Sequence, residues 1–380
     1  MTDSKQRLGW LQALRGVAAI GVVISHCVVY LPSDAPHQWL IGALNHLGSG
    51  IDLFFVISGF IMVHTTIDDP GGFRSAVRFA AKRLQRIWPA YVVLTLVIGS
   101  VGLGWSLIGD EATRLRLVKS IIFLPASYDT LFADQIIPQG WTLSFEIYFY
   151  AVFAVSLMFA RWRWVFLALW CGVMLVAVPL AYGASLTGVY ESFATPYRFD
   201  YLKIATNPFV WEFAVGGLAG AIYHSRLRIG NALIGRAAVS VAIAFAAWNT
   251  FDPILPGSFG LAAGYAVMIA VIALASKTTA MAAPRALRYL GDVSYTLYLE
   301  HMAVIHVLHQ VYQSIGLTDL SATWSIVPLT LVACIAAAAF TGRFLEHDML
   351  KGFVSVCRAD GWSVVRAVIS PPSGAPSRYR

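Results

Sequence analysis

Arg15 and His26 place a permanent cation and a titratable base in one apolar run, RGVAAIGVVISH. Eleven positions at 100° per residue bring the two back to within ~20° of one helical face, ~16 Å apart along the axis. An imidazole that titrates near neutral pH can take a proton from a hydroxyl, and a carboxylate beside it can fix its tautomer and steady the imidazolium. Asp52, in GSGIDLFFVISGF, is the candidate for that supporting role, and Glu146, in PQGWTLSFEIYFY, is a further candidate acid. GDVSYTLYLEH adds Tyr295, Glu300 and His301. Counted from the outward ends of their apolar segments, His26, Asp52 and Glu146 each lie about a turn and a half deep. Glu300 and His301 fall in the middle or outer half of theirs, so four segments present acids or imidazoles at a similar level. Plainer readings stand beside this one: Arg15 can snorkel to headgroups, and His26 can be a hydrogen-bonded packing residue.

A second cluster lies toward the opposite side. AAKRLQRIWPAY carries Lys82, Arg83 and Arg86, with Arg74 and Arg78 upstream. Arginines three apart share a helical face and can fork onto phosphate oxygens, although cations here also serve to orient a membrane protein. Pro89 is predicted to open the apolar helix that follows. With Arg15, these residues suit a donor whose phosphate-rich head binds at one side while a thin reactive arm reaches His26, and coenzyme A has that shape. Trp141, at the mouth of its segment, is a candidate for stacking on a sugar ring, and Tyr295 and His301 are candidates for contacting the same acceptor. His301 and His306 are five positions and roughly 140° apart on a helix, so only His306 and His309 share a face, and no metal site is predicted.

The elements that must hold these residues are apolar helices. The 380-residue chain is 58% hydrophobic and only 12% charged, where a soluble domain carries roughly 25% charged residues; its mean hydropathy is +0.68. Ten segments are apolar enough to cross ~30 Å of hydrocarbon as helix: residues 10–31, 47–65, 89–109, 141–160, 163–183, 207–224, 232–251, 257–276, 289–312 and 324–345. Backbone groups in lipid must be bonded internally, which makes this an all-α polytopic bundle rather than a barrel. With the N-terminus inside, 21 of the 27 lysines and arginines fall in cytoplasmic segments; Arg114, Arg116, Lys119, Arg198 and Lys203 fall outside and Arg15 lies within the first helix. The net charge of +7 is therefore read as topology, not as a nucleic-acid surface. An even number of spans returns the C-terminus to the cytoplasm. Residues 1–346 are expected to form the membrane domain and 347–380 a partly disordered tail, ending in the Pro- and Ser-rich SPPSGAPSRYR. The first span is expected to stay rather than be cleaved as a signal peptide. Cys27, Cys171, Cys334 and Cys357 show no paired spacing and read as packing residues.

Five stretches in order, LQALRGVAAIGVVISH, GIDLFFVISGFIM, KRLQRIWPAY, GWTLSFEIYFY and LGDVSYTLYLEH, make residues 8 to about 346 resemble the membrane-bound acyltransferase-3 family, particularly its branch acetylating bacterial exopolysaccharides. The resemblance implies transfer of an acyl group, usually acetyl, from cytoplasmic acyl-CoA to a hydroxyl of a surface or exported carbohydrate or its lipid-linked precursor. The implied location is a bacterial inner membrane, among whose lipids the protein works. The family's arginine–histidine motif falls on Arg15 and His26 and its paired arginines on Arg83 and Arg86, with no esterase-like appendage expected. Direct attack of the acceptor on the thioester, with His26 as base, is the expected route; an acyl-histidine relay is the alternative. A proton-coupled carrier with Asp52, Glu146 and His26 as its relay is the rival from another class.

Overall fold

A computed structural model describes residues 9–124, 135–184, 186, 200–255, 257–317 and 323–348. The expected tail beyond residue 348 lies outside the described residues. Helix α1 (Gly9–Val28) is followed by the short α2 (Gln38–Asn45), a 3-10 turn and α3 (Gly50–Thr66). Then come α4 (Phe73–Leu103), α5 (Glu111–Ile121), α6 (Gly140–Met158) and α7 (Arg163–Gly172), the last extended through a π-turn to Ala181. α8 (Phe209–His224), α9 (Ala232–Phe251), α10 (Gly257–Ser276), α11 (Arg285–Asp292), α12 (Ser294–Ser314) and α13 (Ile326–Gly342) complete the bundle. No strand occurs among the described residues. Among the described residues, eight segments are long and apolar enough to cross a membrane: α1, α2 with α3, α4, α6, α7, α9, α10 and α13. The other two expected spans are also helical, but α8 has only 16 residues and α12 carries Glu300 and three histidines. The chain is an all-α, multi-pass bundle.

α4 departs from the expectation of a loop over 66–88 followed by a helix opening at Pro89. The helix starts at Phe73 and runs 31 residues with Pro89 inside it. Its first half, FRSAVRFAAKRLQRIW, is dominated by strong helix formers, whose summed propensity carries the helix up to the proline. Arg74, Arg78, Lys82, Arg83 and Arg86 ride on a rigid rod instead of a loop.

α1 packs against α2, α3, α11, α12 and α13. α3 and α8 approach at backbone distance: a Cβ on Gly59 would lie 2.1 Å from the Phe213 carbonyl oxygen, and one on Gly216 would lie 2.0 Å from that of Val56. Small residues let helices close this tightly in lipid, where dispersion rather than the hydrophobic effect drives packing. Beside them Phe55, Phe149 and Phe213 interlock, with centroids 4.4 Å apart for Phe149–Phe213 and 4.7 Å for Phe55–Phe213. At the arginine-bearing end, the buried Arg163 donates to the carbonyls of Ala160 (2.8 Å) and Thr66 (3.1 Å), tying the start of α7 to the end of α3.

Candidate functional site

His26 and His301 meet. His26, on α1, is half-buried; its Nδ1 lies 2.9 Å from the Val22 carbonyl oxygen one turn back and 3.3 Å from His301 Nε2 on α12. The rings are 5.0 Å apart and inclined at 53°. His301 is wholly buried, and its Nδ1 lies 2.6 Å from the Tyr298 carbonyl oxygen. It therefore stands behind His26 rather than at a surface where it would touch an acceptor as expected. Arg15 shares α1 with His26, about 16 Å away along the axis, and its guanidinium donates to Gln12 at 3.3 Å, whose amide in turn donates to Asp292 at 2.8 Å.

Asp52 does not join this pair, so the expected carboxylate support of His26 is corrected. The cause is helical phase. Gly50 is the residue of α3 turned toward α1, where a Cβ would lie 2.4 Å from the Ala18 carbonyl oxygen; Asp52, about 200° further round the helix, is turned away. It is 1% exposed and lies against Glu212 of α8, with the Tyr265 hydroxyl of α10 nearby. Tyr265 also bonds Ser49 (2.8 Å) and Thr250 (3.0 Å). Both carboxylate oxygens of Glu212 are buried without a hydrogen-bond partner. The two acids lie side by side where α3 meets α8, next to the glycine contact. Glu212 shows the same signal in the sequence as Asp52, an acid within an apolar segment.

Glu146 belongs to the arginines. Its Oε1 accepts from Ser58 (3.0 Å) and from the Tyr150 hydroxyl one turn on. The Arg83 guanidinium lies 5.3 Å from the ring centroids of both Phe79 and Tyr150 and donates to Thr65 at 3.3 Å. Arg86 is exposed and also near Tyr150. The acid is thus separated from His26 in the local hydrogen bonding, despite the similar depth counted along the chain. Tyr298 spans the gap: its hydroxyl end lies near Glu146 and Thr142, and its ring centroid is 5.8 Å from that of His301. Arg83, Tyr150 and Glu146 are in contact in one group and Tyr298, His301 and His26 in another, and Glu146 is near enough to act electrostatically on the Tyr298 hydroxyl. Tyr150 was legible as the i+4 partner of Glu146; nothing in the local sequence pointed to Tyr298.

The remaining candidates are placed individually. Trp141 is half-buried, 5.5 Å from the Phe209 ring and 6.0 Å from that of Phe145. Tyr295 donates its hydroxyl to the Ile87 carbonyl of α4 at 2.8 Å, which links α12 to the arginine helix. Glu300 accepts from Thr341 of α13 at 2.8 Å. His306 and His309 each bond a glutamine one turn along α12, Gln310 and Gln313.

A family profile described as an acyltransferase domain matches residues 8–342. Among curated proteins, the chain is similar to the exopolysaccharide production protein ExoZ of Rhizobium meliloti (strain 1021), with 30% identity over 83% of this chain and 92% of that protein. It is 28% identical to nodulation protein 10 of Rhizobium leguminosarum bv. viciae, over 89% of this chain and 92% of that one. A protein of Staphylococcus aureus (strain COL), provisionally named an O-acetyltransferase, is 25% identical over 90% of this chain and 57% of its own length. No solved structure matches.

Proposed function

Since the chain belongs to the acyltransferase-3 family, we propose that it moves an acetyl group from cytoplasmic acetyl-CoA to a hydroxyl of an exported polysaccharide or its lipid-linked precursor, in a bacterial inner membrane. The observation that carries this reading is the approach of the group around Arg83 and Glu146 to the group around His301 and His26, with Tyr298 between them. Arg83 and Arg86 take the donor's phosphates at one end, with Arg15 in support, and the thioester arm runs inward toward His26. The acceptor arrives at the His26 end, with Trp141 as its stacking surface. His26 accepts the hydroxyl proton while the hydroxyl oxygen attacks the thioester carbonyl. The carbon–sulfur bond breaks, the ester forms, and the proton passes from His26 to the departing thiolate. Asp52, beside Glu212, has a structural part, and Glu146 acts through Tyr150 on the donor end. ExoZ is named for exopolysaccharide production, which supports a carbohydrate acceptor for this chain.

The test is transfer of labelled acetyl from acetyl-CoA in proteoliposomes supplied with membrane glycans from the source cells. His26→Ala is expected to lower turnover by 10²-fold or more, within the roughly 10²–10⁴-fold contribution of a general base, with unchanged protein abundance. Arg83→Ala and Arg86→Ala are expected to raise the donor concentration needed for half-maximal rate. Normal turnover by His26→Ala removes the base; transport of substrate without consumption of thioester removes the enzyme.

A further inference from the structure

We propose that His301 is a positioning residue that holds His26 in the tautomer a base requires, in the place an acidic residue was expected to fill; this rests on His26 being the base. The assignment follows from which atoms can donate. A carbonyl oxygen only accepts. His301 Nδ1, 2.6 Å from the Tyr298 carbonyl oxygen, must therefore carry a hydrogen, and a neutral His301 then has a lone pair on Nε2. His26 Nδ1 lies 2.9 Å from the Val22 carbonyl oxygen and 3.3 Å from that lone pair. Two acceptors converge on Nδ1, so Nδ1 carries the hydrogen of neutral His26. Its Nε2 is left as the basic nitrogen. The opposite tautomer would set a bare Nδ1 lone pair against both acceptors.

When the acceptor hydroxyl gives its proton to His26 Nε2, the ring becomes an imidazolium whose Nδ1–H is already shared by Val22 and His301, while His301 keeps its own proton on Nδ1. His301 is 0% exposed, so it reaches substrate only through His26. The Tyr298 ring, its centroid 5.8 Å from that of His301, packs beside the imidazole, and the Cys334 thiol lies 3.8 Å from the His301 backbone carbonyl oxygen. A buried polar side chain whose bonding is satisfied by a backbone carbonyl on one side and a site residue on the other is built to orient.

His301→Gln and His301→Met are side chains of similar length, and only glutamine offers an acceptor near the position of Nε2. We expect His301→Met to lower kcat at least 10-fold, toward the much larger loss seen when an orienting residue of a catalytic triad is replaced, with the donor KM within about 2-fold. His301→Gln is expected to recover most of that kcat. A kcat equal to wild type in His301→Met, or no advantage of glutamine over methionine when both variants unfold at the wild-type temperature, overturns the assignment. Should methionine prevent folding, ¹⁵N spectra of histidine-labelled wild-type protein decide: His26 protonated on Nδ1 supports the proposal, and His26 protonated on Nε2 ends it. The spectra also separate this inference from the functional reading, because they test the pair even if His26→Ala proves active.

Discussion

Arg83 shows how one side chain acquires its part from its neighbours. Its guanidinium lies at equal distance, 5.3 Å, from the Phe79 and Tyr150 ring centroids, and the Tyr150 hydroxyl is held by Glu146. The cation is oriented by π-faces and its carboxylate neighbour stands one residue removed, which leaves guanidinium N–H groups for phosphate. Cation–π contacts contribute about 0.5–2 kcal/mol depending on desolvation, or about 2- to 30-fold in affinity. Tyr150→Leu is therefore expected to raise the donor KM within that range. Tyr150→Phe, which keeps the ring and loses only the bond to Glu146, should raise it less. Steady-state measurement of kcat and KM for acetyl-CoA checks both, and equal effects of the two substitutions would transfer the orienting role from the ring to the hydroxyl.

Among the elements, α3 and α8 meet at backbone distance, and the site depends on this joint because α3 also carries Ser58 and Thr65, the partners of Glu146 and Arg83. Gly59→Ala places a methyl where the Phe213 backbone lies 2.1 Å away, so the helices must separate. Overpacking of this kind costs about 1–3 kcal/mol, and the Glu212–Asp52 contact sits on the same interface. The expected result is a lowered unfolding temperature for detergent-solubilised protein. Gly217→Ala is the matched control: its added methyl would meet Val63 Cγ2 at 3.4 Å, near ordinary contact, and should be tolerated. Helix α4 makes a related point. A proline in mid-sequence reads as a helix start by local rules, yet sixteen residues of favourable helix precede it in α4, and Arg83 and Arg86 are consequently fixed relative to Tyr295, whose hydroxyl holds the Ile87 carbonyl.

For the whole molecule, the proposed reaction requires the arginine end to face the cytoplasm, where acyl-CoA is found. In protein whose native cysteines have been replaced, Arg74→Cys should react with an impermeant maleimide only after cells are permeabilised, whereas Lys119→Cys should react on intact cells; the reverse pattern would put the donor site on the wrong side. The sequence by itself determined the class of molecule and the helical segments, because apolar length against hydrocarbon thickness is a local property. It also marked Arg15 and His26, since ionisable groups are costly in lipid wherever the chain places them, and Arg83 and Arg86, since arginines three apart share a helical face. Only the tertiary structure decided how those groups were partnered. Depth along a span counts residues and says nothing of rotation about the helix axis, so Asp52 and His26 appeared matched on paper while their helices turn the two side chains to different neighbours. Glu146 was drawn to Tyr150 and the arginines, and the partner of His26 proved to be His301 from a segment 275 positions away, a meeting that depends on which faces two helices bury together.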